Sequence, residues 1–262
     1  MSETGGMFPV LGECVAMLAT RQPAMFGFTV FLGVVLAAAC WWICTHYSRL
    51  WNLTFRITRL HQILCAGAAA LTLVFWILFV SLQYTRQVAQ DAIDGWHREV
   101  ESDPVFHRQT KQRIYYMVKA TNQEDFRKYP APETVAGEAL VPVSKPGSKK
   151  ILASVIANEA LKRFRQEQPF LSEVLSLPER IPDAVLVTDM TNYFAARPHG
   201  GTYPFNHALD LTADQIKARL DPETPRVVVV ARLILTGCFL LAQAIPFCLI
   251  GLAATRDLKV ST

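Results

Sequence analysis

Three apolar stretches constrain this chain more than anything else in it: Met25–Tyr47, Ile63–Leu82 and Leu233–Ala254. None of them contains Asp, Glu, Lys or Arg. A helix rises about 1.5 Å per residue, so about twenty residues cover the roughly 30 Å hydrocarbon layer of a bilayer. A soluble core helix rarely needs that length. The chain is therefore expected to be an integral membrane, mainly α protein. Its three transmembrane helices would form a hairpin of two plus a C-terminal one, with a mostly helical α+β extracytoplasmic domain inserted between helices 2 and 3. The implied segments are a short N-terminal interfacial piece (1–24), span 1 (25–47), a basic loop (48–62), span 2 (63–84), the large domain (85–225), span 3 (226–254) and a tail (255–262).

Whole-chain averages conceal this organisation. The 262 residues are 51% apolar and carry a net charge of +4. The stretch Arg86–Arg226 holds nineteen Lys/Arg and nineteen Asp/Glu. Such neutrality argues against a nucleic-acid partner, whose phosphates require a cationic excess.

The remaining basic residues decide orientation. Arg49, Arg56 and Arg59 lie in the short loop with no acid beside them, and the tail adds Arg256 and Lys259 against Asp257. Short loops rich in Lys and Arg stay in the cytoplasm. This predicts a cytoplasmic 48–62 loop and C-terminus, with the N-terminus and residues 85–225 outside, in a bacterial inner membrane. Trp41, Trp42 and Tyr84 suit headgroup boundaries. Arg232 suits the outer boundary, where its stem can lie along apolar surface while the guanidinium reaches upward.

Cysteine usage and the N-terminus add constraints. Five cysteines fall in the spans, Cys14 precedes them and the large domain has none, which leaves no disulfide framework and no paired CxxC metal motif there. Met1–Gly6 lacks a positive n-region, so a cleaved signal peptide is not expected. Glu13 before Cys14 departs from a lipoprotein processing site. Met7–Ala19, broken by Pro9 and Gly12, is expected to lie at the interface or pack on the bundle.

Small side chains mark the candidate packing faces. Gly33 and Ala37 stand four apart in span 1, and Ala66, Gly67 and Ala70 cluster in span 2. Helix backbones approach closely at such positions. Gln243 and Pro246 sit near the middle of span 3, where the amide is expected to bond a freed carbonyl or a neighbouring helix. No span contains a carboxylate, which leaves coupled ion transport little chemistry.

In the large domain, Thr85–Glu101 continues span 2 as a helix and Pro104–Thr121 reads as another. Tyr129–Gly147 reads as a Pro-rich connector, and Lys149–Gln168 as an amphipathic helix extended by Phe170–Leu177. Ala184–Val187 is the expected strand, with Tyr193-Phe194 in a second. Thr202–Asp210 alternates like an edge strand or partner-receiving flap. Thr212 and Gln215 form a capping-box pattern for a short helix that Pro222 and Pro225 would end.

Catalytic signals are weak. His97, Glu101, Asp103 and His107 could be drawn as a metal site, but their spacing is not HExxH, and exposed polar residues are the simpler expectation. His199 reads as a turn residue, His207 falls in the alternating Thr202–Asp210 stretch, and Asp189 and Asp210 are acids with no partner identifiable from sequence. Neither GxSxG, SxxK, GxxxxGK[ST] nor GxGxxG occurs. No cofactor is implied. The sequence favours a non-catalytic assembly subunit whose partners are other integral membrane subunits and lipid, as a homo- or hetero-oligomer. An extracytoplasmic sensor signalling through span 2 is the alternative, and a transporter or enzyme the weakest reading.

Overall fold

A computed structural model describes residues 7–51, 55–121, 146–196 and 203–260. Helices carry almost all of them: α1 (Met7–Arg21), α2 (Pro23–Trp51), α3 (Arg59–Ser81), α4 (Thr85–Ser102), α5 (Pro104–Thr121), α6 (Pro146–Glu167), α7 (Pro169–Val174), α8 (Asp183–Ala196) and α9 (Phe205–Val260). A single 3-10 turn, Leu82–Tyr84, joins α3 to α4. Among the described residues there is no strand. The chain divides into two compact units, one of Gly6–Val88 and Thr224–Thr262, the other built on Ala89–Glu223.

The first unit holds three helices long and apolar enough to cross a membrane. Its outward surface is what lipid favours: Phe28, Phe31, Trp42, Ile63, Val74, Leu233, Leu241 and Ile245 are all exposed. The α2–α3 pair is an antiparallel hairpin. Cys44 meets Cys65 near one end, and Gly33 faces Leu73 and Trp76 in the other half. The C-terminal part of α9 lies antiparallel to α3, with Ala231 beside Leu82, Phe239 stacked on Phe75 at 4.2 Å and Ile250 against Cys65. Pro9 and Gly12 do not break α1, which buries Leu11, Cys14 and Leu18 at helical spacing.

The second unit closes around apolar faces repeating every three or four residues, the spacing of one helix side. Ile93, Trp96 and Val100 come from α4, while Ile156, Ala160 and Phe164 come from α6. Leu186 and Met190 of α8 join Leu209, Ala213, Ile216 and Leu220 of α9. Trp96 meets Phe164 edge to face at 5.0 Å. The break before α5 is chemically specified. Asp103 Oδ1 accepts the amides of Val105 (2.8 Å) and Phe106 (3.3 Å), and Pro104 opens the helix where no donor is needed. Phe106, Thr110 and Ile114 turn inward, whereas Met117 is exposed.

Several sequence expectations are corrected here. The α+β assignment fails, because Ala184–Val187 and Tyr193-Phe194 are both in helix α8. Leu186 and Met190, four apart, are the buried pair, so tertiary burial overrides the β-propensity of Val185 and Val187. The 202–210 flap is likewise not a strand, since α9 begins at Phe205. Thr212 caps nothing. It lies inside α9, and its hydroxyl donates to Ala208 O at 2.8 Å. Pro222 and Pro225 do not stop α9; both are exposed, so water can solvate the carbonyls their rings leave unbonded.

Candidate functional site

Cys40, Thr72 and Gln243 of the membrane-crossing unit converge on one node. Gln243 is buried, and its Nε2 donates to Ala68 O at 2.8 Å and to Thr72 Oγ1 at 3.0 Å. Thr72 Oγ1 in turn donates to Ala68 O at 2.8 Å, and the Cys40 thiol donates to Gln243 Oε1 at 3.9 Å. One amide thus ties α2, α3 and α9 at a single level. Both its donor and acceptor functions are occupied, as an amide in a low-dielectric setting requires. The amide bonds a neighbouring helix rather than its own proline-freed carbonyl. Pro246 is buried one turn further on, within unbroken helix.

The candidate packing residues separate into two groups. Gly33 is buried, and a Cβ there would lie 2.7 Å from Leu73 Cδ1 and 3.2 Å from Trp76 Cδ1. Ala37, one turn on, is half-buried. Ala66, Gly67 and Ala70 are exposed, and nothing lies within 4 Å of a Cβ built on Gly67. The seam of α3 consists instead of Cys65, Ala68 and Thr72. The expectation that the whole small-residue run serves the hairpin is therefore corrected. A helix presents only one side to its neighbour, and positions 65, 68 and 72 occupy it.

The boundary residues differ in the same way. Trp41 and Trp42 are exposed, as are Arg49, Arg56 and Arg59, with Arg59 in the first turn of α3. Tyr84 is only 4% exposed. Its hydroxyl donates to Gln22 Oε1 at 2.7 Å, in the short link between α1 and α2. Arg232 places its guanidinium 5.0 Å from the centre of the Phe79 ring, a cation–π contact, and its Nε is buried.

The second unit has a cluster of its own. Asp189 Oδ2, on α8, accepts from Tyr203 OH at 2.5 Å and from His207 Nε2 at 3.1 Å. A carboxylate oxygen accepts, so His207 Nε2 is the donor in this contact. Burial, followed by the adjoining Asp189, pushes the Tyr203 phenol well above its usual range. It remains a protonated donor. The Tyr193 and Tyr203 rings flank the imidazole at 4.7 and 5.1 Å. An Asp–His pair between aromatic faces can orient a proton, but these described neighbours supply no alcohol or thiol nucleophile. Its evident effect is to clasp α8 to the start of α9.

The residues once drawn as a metal set disperse. His97 pairs with Asp210 at 3.1 Å, Glu101 accepts from Asn206 at 3.1 Å, and Asp103 pairs with Arg163. His107 bonds Glu101 O at 2.9 Å and stacks on Phe205. Among the described residues no three such groups gather as metal ligands. His199 lies outside the described residues, as does the 129–147 connector apart from Pro146 and Gly147, which open α6.

Sequence reading missed Thr72, Cys40, Asp189 and Tyr203 as partners. A signal for the first two existed. Isolated polar side chains in apolar spans have few acceptors except one another. Comparison with known family models, curated proteins and solved structures finds no match.

Proposed function

We propose that this chain is a non-catalytic subunit of a multiprotein membrane assembly that anchors and orients partners at the outer membrane face. One observation supports this reading above the rest. Gln243, Thr72 and Cys40 are spent on each other in one node, while Ala66, Gly67 and Ala70 stand uncovered on α3. A solute pathway would need polar groups free to serve it. An open face of small residues instead suits close approach by another helix. The positive-inside pattern supports a cytoplasmic 48–62 loop and tail, with residues 85–225 outside. A bacterial secretion, conjugation or energy-converting complex is the setting in which such a subunit fits.

Affinity purification from native membranes in mild detergent tests the proposal. It should return a fixed set of other integral membrane proteins, and Gly67→Leu or Ala70→Leu should lower their yield several-fold without impairing insertion. Unchanged yield from both variants, or a chain that purifies alone, would overturn it.

A second reading, an extracytoplasmic sensor, draws on the Asp189–His207 cluster at the start of the same helix that supplies the third span. A ligand-dependent rise in the melting temperature of the full chain, without co-purifying subunits, would favour it.

A further inference from the structure

The Gln243 node leaves a second buried polar group in the membrane-crossing unit unused. Cys44 of α2 and Cys65 of α3 are both free and fully buried, with their sulfurs 3.0 Å apart. Ile250 and Phe247 of α9 pack against them. One turn after Cys44 on α2, Ser48 Oγ is fully buried with no hydrogen-bond partner. A metal is a poor occupant, because Zn²⁺ would require four ligands and, among the described residues, no His, Asp or Glu completes the set.

The remaining cysteines have other settings. Cys14 meets Thr85, Cys40 serves Gln243, and Cys238 and Cys248 are exposed. Disulfide sulfurs lie about 2.05 Å apart, so Cys44 and Cys65 need approach by only about 1 Å.

We propose that Cys44 and Cys65 form an oxidative modification site, a disulfide that staples the α2–α3 hairpin, with a small neutral peroxide as oxidant. Hydrogen peroxide oxidises one thiol to a sulfenic acid and releases water. The second sulfur then displaces the sulfenic hydroxyl, which leaves as water with the second thiol's proton. Two thiols lose two electrons in total, and one peroxide becomes two waters. A neutral oxidant of that size can pass through lipid and side-chain packing that exclude glutathione. The buried partner thiol captures the sulfenic acid before further oxidation.

The test uses the full chain in lipid nanodiscs, exposed to hydrogen peroxide, acid-quenched and denatured. Remaining thiols receive one alkylating label. After reduction, newly released thiols receive an isotopically distinct second label, and peptides are read by mass spectrometry. Cys44 and Cys65 should carry the second label together and to equal extent, and an unreduced portion should yield the Cys44–Cys65 cross-linked peptide, which Cys65→Ser abolishes. Three results overturn the proposal: both cysteines keeping the first label in the wild type, either taking neither label because it has passed to sulfinic acid, or the unreduced wild type yielding no Cys44–Cys65 cross-linked peptide.

Discussion

Two side chains show how a single group can set local behaviour. Gln243 joins three helices, so Gln243→Leu should lower the melting temperature of the detergent-solubilised chain by a few degrees. The expected loss is about 1 kcal/mol, because bonds between helices in lipid average about 0.6 kcal/mol and this amide makes more than one. Differential scanning fluorimetry reads the shift, and an unchanged midpoint would mean that the node is dispensable. Asp103 acts in the second unit, where the Arg163 guanidinium and the Val105 and Phe106 amides hold its carboxyl below the usual carboxylate range. A depressed folded value means that its contribution is complete above the unfolded pKa of about 3.9 and is lost as pH falls through the lower folded value. Protection factors of the amides in the first turn of α5, corrected for the intrinsic pH dependence of exchange, should therefore hold steady from pH 7 to pH 5 and fall only under stronger acid. At neutral pH, Asp103→Ala should speed that exchange about fivefold, the equivalent of a lost cap worth about 1 kcal/mol.

At the scale of elements, the seam between α2 and α3 gives a paired prediction. Gly33→Leu forces a side chain into the space held by Leu73 and Trp76, so the isolated chain should lose several degrees of melting temperature. Overpacking of that kind costs on the order of 1–3 kcal/mol. Gly67→Leu meets open space and should stay within about a degree of wild type. Equal losses from the two would show that the seam is misplaced. Pro222 and Pro225 lie within continuous helix, so replacing both with Ala should slow amide exchange between residues 218 and 226, since interior proline costs about 3 kcal/mol. These elements also show what sequence could and could not disclose. The α5 boundaries were legible because Asp103-Pro104 carries its own stop and start chemistry. Helix α8 was not, because Val185 and Val187 favour extended backbone and only burial of Leu186 and Met190 decides otherwise. The node was half legible, since Gln243 stood out as a lone amide while its partner Thr72 resembled any hydroxyl in an apolar run.

At the scale of the whole molecule, three apolar helices define a multi-pass chain, and its sidedness can be tested separately. Protease added to intact spheroplasts should cut within residues 85–225 and spare the 48–62 loop. Cleavage only after permeabilisation would invert the arrangement. Order of synthesis gives the Gln243 contact a further meaning. Thr72 leaves the ribosome 171 positions before its amide partner, an interval of roughly 10–30 s at about 5–20 residues per second. During that wait its hydroxyl already has Ala68 O as a local acceptor. At Thr72 the nascent hairpin can therefore rest in lipid without an orphaned hydroxyl, and the late-arriving helix docks onto a side chain that is already satisfied.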